Sequence, residues 1–180
     1  MRAARACAAA ALVVAALVVA GCATPRAPTP AESISGRLTV RVDATAGAAP
    51  RTLTAGFDLE GDAEKGSLSL ATPLGTRIAQ ARWSPREVLL VTPDGEKAYP
   101  DLDALTRELA GEALPVAALY DWLRGRPWPG APSGALAAGE GAGFAQLGWH
   151  VVLAGPGPDA IVARREAPPA VTVRAMIDSR

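Results

Sequence analysis

Apolar and polar residues alternate at a period of two over the first half of this chain, and that alternation constrains its fold more than any other feature. Residues 36–42 read Gly-Arg-Leu-Thr-Val-Arg-Val, which sets Leu38, Val40 and Val42 on one face and Arg37, Thr39 and Arg41 on the other. Successive side chains of a strand leave opposite faces of a sheet, so such a segment is a half-buried strand. The period returns at Leu53, Ala55, Phe57 and Leu59 and again at Leu68 and Leu70, with Gly61-Asp62 and Gly66 as turn signals between them. Residues 77–83, 87–92 and 97–99 read as further strands, the last following the hairpin signal Asp94-Gly95. Six strands joined by short turns imply an antiparallel meander.

The period then lengthens. Asp101 is placed to cap a helix carrying Leu102, Leu105 and Leu109, which Gly111 ends. Pro115 suits the first turn of a second helix, in which Val116, Leu119, Tyr120 and Leu123 share a stripe and which Gly125 and Pro127 close. Residues 131–143 read as a loop rich in Gly, Ala and Pro. Strands follow at 144–153, 160–165 and 171–177, with a turn at 155–158. Strands, then helices, then strands describe a mainly β, α+β fold in which an antiparallel sheet curls over its helices. A strongly bent sheet either encloses an apolar cavity or packs solidly on the helices, and periodicity alone does not choose between them.

Composition narrows the chemistry. The chain has 180 residues, the size of one domain, with 18 Lys+Arg against 18 Asp+Glu and no basic tract, so nucleic acid is not an expected partner. Both cysteines, Cys7 and Cys22, precede the body and there is one histidine, so neither a disulfide nor a metal site is expected in it. Asp58, Glu60 and Asp62 begin like a calcium loop, but Ala63 stands where the loop needs Gly and Ser69 where it needs Glu. Gly139, Gly141 and Gly143 fail the dinucleotide fingerprint, whose third Gly falls at Phe144. His150 alternates away from the apolar face of its strand, and no serine sits in a Gly-x-Ser-x-Gly elbow. The expectation is a protein that is not an enzyme and needs no cofactor.

The N-terminus reads as a targeting segment. Arg2 and Arg5 precede an apolar run over residues 6–20, shorter than the roughly 20 residues that span a bilayer, and Val19-Ala20-Gly21-Cys22 follows. These four residues resemble the bacterial lipobox. The resemblance implies cleavage after Gly21 and acylation at Cys22, giving a signal peptide at 1–21, a lipidated Cys with a Pro-rich tether at 22–32 and a folded domain at 33–180. Ala23, not an acidic residue, follows the cysteine, which favours the outer membrane over retention in the inner one.

Across the body, the residues resemble the LolB family of outer-membrane lipoprotein receptors. The landmarks are Gly36-Arg37, Thr72-Pro73-Leu74-Gly75, the block 111–127 with Pro115-Val116, Leu119, Trp122-Leu123 and Arg124-Gly125, and Phe144-Ala145-Gln146 leading to Gly148-Trp149. The resemblance implies an incomplete antiparallel barrel whose short helices cover a hydrophobic cavity. It further implies a receptor, lipid-anchored to the outer membrane on its periplasmic face, that takes lipoprotein acyl chains from the carrier LolA and inserts them among outer-membrane lipids; a monomer is the default expectation. Candidate cavity residues, taken from the inward alternation, are Phe57, Leu59, Leu68, Leu70, Leu105, Leu109, Leu119, Trp122, Leu123, Phe144, Trp149 and Val151. Leu74, held between Pro73 and Gly75 in a tight turn, is the candidate for membrane insertion. The chain departs from the family in its sparse aromatics and in a C-terminus, 171–180, without a closing aromatic. The alternative is a structural or assembly lipoprotein whose filled, curved sheet binds a protein partner.

Overall fold

A computed structural model describes residues 33–154 and 159–178. The proposed signal peptide, Cys22 and the tether lie outside the described residues. Residues Ala31–Arg180 form a compact unit of their own.

Among the described residues, eleven strands form one sheet: β1 (Ile34–Val42), β2 (Arg51–Gly61), β3 (Gly66–Ala71), β4 (Arg77–Ser84), β5 (Glu87–Thr92), β6 (Gly95–Tyr99), β7 (Ser133–Ala135), β8 (Gly143–Gln146), β9 (Trp149–Ala154), β10 (Ala160–Arg165) and β11 (Val171–Ile177). Their spatial order is β6-β5-β4-β3-β2-β1-β11-β10-β9-β8-β7, and every pair is antiparallel. The first and last strands of the chain therefore meet in mid-sheet, with Val40 opposite Val173. Because β6 and β7 end the sheet without pairing to each other, the barrel is incomplete, as the family resemblance implied.

Two helices lie between β6 and β7: α1 (Leu102–Ala110) and α2 (Val116–Trp122). The Asp101 carboxylate accepts a bond from the Ala104 N–H at 2.7 Å, which fixes the start of α1 as expected of an N-cap. The inward face of the sheet, including Val40, Phe57, Leu59, Leu70, Ala81, Val151 and Val173, is buried.

Two parts of the sequence reading change. Residues 144–153 are not one strand but the hairpin β8–β9, in which Gln146 pairs with Trp149 and only Leu147 and Gly148 make the turn. Both have positive φ, 54° and 76°, which is the backbone of a two-residue hairpin turn. A leucine in that conformation hides the turn from composition. Within the expected loop at 131–143, Ser133–Ala135 forms β7, an edge strand that exists because β8 pairs with it.

Candidate functional site

A cavity of about 60 Å³ lies between the inner face of the sheet and α1. Its sheet wall is Leu38, Val40, Leu53, Leu68, Leu70, Ala79, Ala81, Trp83 and Leu90; its helical wall is Leu102, Leu105, Thr106, Leu109 and Ala110, with Leu114 and Val116 at one end. The polar side-chain groups here are already occupied: the Thr106 hydroxyl donates to the Leu102 carbonyl at 2.9 Å and accepts from the Leu114 N–H at 3.0 Å, and the Trp83 indole N–H donates to the Asp62 carbonyl at 3.1 Å. Nothing in the lining offers a charge or a free hydrogen-bonding group, so the space suits hydrocarbon.

Of the candidate cavity residues, the structure brings Leu68, Leu70, Leu105 and Leu109 together on this wall. Phe57, Leu59, Leu123 and Val151 are buried in the core away from it, and Leu119 is half-buried against that core. Trp122, Phe144 and Trp149 form a separate cluster. Trp122, with 0% of its surface exposed, meets Phe144 edge-on at 6.4 Å and Trp149 at 5.9 Å between ring centres. Its indole N–H donates to Gln146 at 2.8 Å. Ala79, Ala81 and Trp83 also lie on the cavity, which the sequence of β4 alone does not mark. They occupy the inward positions of β4, and only the strand register sets them under α1.

Leu74 is 94% exposed. It sits in the five-residue link from β3 to β4, where the Gly75 N–H donates to the Thr72 carbonyl at 2.9 Å and the Thr72 N–H donates to the Thr76 carbonyl at 2.9 Å. Pro73 and Gly75 take the positions that such a turn favours, and Gly75 has a φ of 84°, which disfavours side chains. The loop thus satisfies its backbone without drawing on Leu74, whose side chain is left in solvent.

Several polar groups outside the cavity have structural partners. His150 is exposed and lies 3.1 Å from Glu140. Arg165 lies 3.4 Å from Glu112 and over the Trp149 ring. Asp58, Glu60 and Asp62 do not converge on a cation position; Asp62 instead accepts from the N–H groups of Glu64 and Lys65 at 2.8 and 2.7 Å, bracing the β2–β3 turn.

Comparison with known proteins agrees with this architecture. A family model described as outer membrane lipoprotein LolB matches residues 33–173. The chain is 34% identical over 160 residues to the outer-membrane lipoprotein LolB of Bordetella petrii, covering 82% of this chain and 80% of that one. It is 32% identical over 140 residues to the protein of the same name from Bordetella pertussis, covering 74% and 70%. With the Cupriavidus pinatubonensis protein of that name the identity is 41% over 87 residues, covering 47% and 42%.

Proposed function

Because the chain belongs to the LolB family of outer membrane lipoproteins, we propose that it receives lipoprotein acyl chains from the carrier LolA and passes them into the outer membrane. Cys22 carries the lipid anchor, the cavity beneath α1 receives the chains, and the Leu74 loop opens the path into the bilayer. The observation that carries this reading is the apolar cavity, free of charge and of unpaired hydrogen-bonding groups, that α1 covers on one side. Each methylene moved from water to hydrocarbon gains about 0.8 kcal/mol, so handover between two apolar cavities avoids a barrier that free chains would meet. No covalent bond forms or breaks, so the function needs neither nucleophile nor cofactor.

The experiment is transfer of a labelled lipoprotein from loaded carrier to residues 23–180 in detergent-free buffer. Stoichiometric transfer is expected. No transfer to a folded body would favour the partner-binding lipoprotein instead, a reading that the solid packing around Trp122 supports.

A 60 Å³ space is smaller than the roughly 150 Å³ apolar cavity that holds one benzene, so α1 must shift to admit an acyl chain. Lys97 on β6 ties the outer side of α1 to the sheet, donating to both carboxylate oxygens of Glu108 at 2.8 and 2.6 Å. This hydrogen bonding holds the Glu108 carboxyl below the usual carboxylate range and lifts the Lys97 ammonium above its own. The tie is complete at neutral pH. It is lost in acid as pH falls through the depressed Glu108 value, and in alkali as pH rises through the raised Lys97 value. Both groups are exposed, so Glu108→Gln should barely move the unfolding midpoint, yet speed entry of an apolar fluorescent probe at neutral pH. Unchanged entry would remove the tie from the opening step.

Filling the space gives a second check. Ala81→Leu adds three carbons to the cavity wall and should reduce acyl-chain uptake while the protein stays folded, since overpacking costs roughly 1–3 kcal/mol. Full uptake by that variant would place the chains elsewhere.

A further inference from the structure

Strand register gathers arginines on the outer face of the sheet, away from the cavity. On one rung Met176 pairs with Arg37, Arg37 with Gly56, Gly56 with Ala71, and Ala71 with Arg77 across the bulge that starts β4. On the next, Arg174 pairs with Thr39. On the third, Thr172 stands between Arg164 and Arg41. Arg37, Arg41, Arg77, Arg164 and Arg174 are all exposed, and no carboxylate shares these rungs. Arg41 reaches Asp43 at 2.8 Å beyond the last rung; the other four meet no carboxylate among the described residues. In a chain with equal numbers of basic and acidic residues, this is a local concentration of positive charge.

The Leu74 loop rises on the same side. A shallow groove has Arg37, Thr54 and Gly56 on its floor and Thr72, Pro73 and Gly75 as one wall, with Arg77 at the foot of the loop; Asp58, opposite Ser35 on the rung beyond Arg37, and Asp178 also line it, so the basic excess lies toward Arg41, Arg164 and Arg174. Met176, beside Arg37, is 62% exposed, so two of the three exposed large apolar side chains among the described residues border this face. Exposed apolar groups next to basic ones are what an interfacial surface presents to lipid.

We propose that the arginine face is where the protein lies against the phosphate groups of an anionic bilayer while Leu74 enters the hydrocarbon. This rests on the membrane role of Leu74 and adds the charge that orients it. Guanidinium groups bind phosphate oxygens in pairs, and their long stems let the heads reach past neighbouring side chains. Each arginine near an anionic surface strengthens binding about fivefold, and salt weakens the effect.

The test uses residues 23–180, which contain the compact unit but no lipid anchor, in sedimentation with vesicles. Vesicles of phosphatidylcholine alone are compared with vesicles of phosphatidylcholine and phosphatidylglycerol. The unaltered body should prefer the anionic vesicles and lose that preference as salt rises. Arg164→Gln with Arg174→Gln, far along the face from Leu74 and outside the cavity, should weaken anionic-vesicle binding about 25-fold. The same two positions as lysine should keep most of the binding, and both pairs should accept acyl chains normally. A glutamine pair that binds anionic vesicles like the unaltered body overturns the proposal. So does an unaltered body that shows no preference for phosphatidylglycerol, a result that stands whether or not any variant folds. A glutamine pair that keeps vesicle binding but no longer accepts lipoprotein from the carrier also overturns it, by assigning the face to an acidic protein. Leu74→Glu should keep the salt-sensitive binding; normal delivery by that variant would reject the wedge role and leave the arginines to be judged on vesicle binding alone.

Discussion

Leu74→Glu should abolish delivery of lipoproteins to membranes while leaving the fold and acyl-chain uptake intact. The fold is spared because Leu74, at 94% exposure, contributes almost nothing to the core, and the turn is held by Thr72, Gly75 and Thr76 backbone bonds. Uptake is spared because Leu74 is not among the residues that line the cavity. Delivery suffers twice. A leucine moving into hydrocarbon gains roughly 2 kcal/mol, and a carboxylate in its place costs roughly 3 kcal/mol at mid-bilayer. Together about 5 kcal/mol is more than a thousandfold in the population of the inserted state. Leu74→Ala loses only the first contribution and should deliver a few tens of times less well. The readout is the fraction of label that sediments with vesicles after each loaded variant is mixed with them. Delivery by the glutamate variant at the unaltered rate would mean that Leu74 does not enter the bilayer.

Leu74 was legible in the sequence because its exposure is a local matter: Pro73 and Gly75 set the turn, and a turn tip has nothing to bury a side chain against. The same holds for Asp101, whose cap bond spans three residues, and for β1, whose alternation Leu38, Val40, Val42 directly encodes one buried face. What stayed hidden depends on distant residues. Alternation says that Leu70 and Trp149 point inward, but not that Leu70 borders a void while Trp149 packs tightly against Trp122. That difference comes from how much volume α1 and α2 leave, which no single strand carries. The turn at Leu147 is hidden because it lacks the Asn-Gly or Asp-Gly signature, and β7 because Ser-Gly-Ala becomes a strand only through its partner. Arg37 and Arg41 were visible as one polar face of β1. Their company with Arg164 and Arg174 was not, since β1 and β11 pair across almost the whole length of the body.

Trp122→Ala should be the most destabilising single change in the body, by about 3–5 kcal/mol. Against a total stability of roughly 5–15 kcal/mol for a domain, that approaches unfolding. The side chain is wholly buried, and its removal opens a void beside Phe144 and Trp149 that the closing hairpin β8–β9 has no spare residue to fill. It also strips a partner from Gln146, which is 3% exposed. The Gln146 carbonyl oxygen accepts from the Trp122 indole N–H at 2.8 Å and from the Trp128 N–H at 2.9 Å. Its amide donates to the carbonyls of Trp128 and Ala131 at 2.8 and 2.7 Å. Every bond that a glutamine side chain can make is therefore made, and together they hold the segment after α2 against β8. Trp122→Phe retains most of the packing and should cost less, roughly 1–3 kcal/mol, through the smaller ring and the weakened satisfaction of Gln146. Gln146→Glu separates shape from hydrogen bonding: it is nearly the same size, but a carboxylate has no proton to give the two carbonyls, so it should destabilise more than Trp122→Phe. Denaturant unfolding of the three variants gives the ranking. If Trp122→Ala costs less than about 1 kcal/mol, the cluster does not anchor α2. Rigidity around α2 then cannot be what leaves α1 as the element that moves.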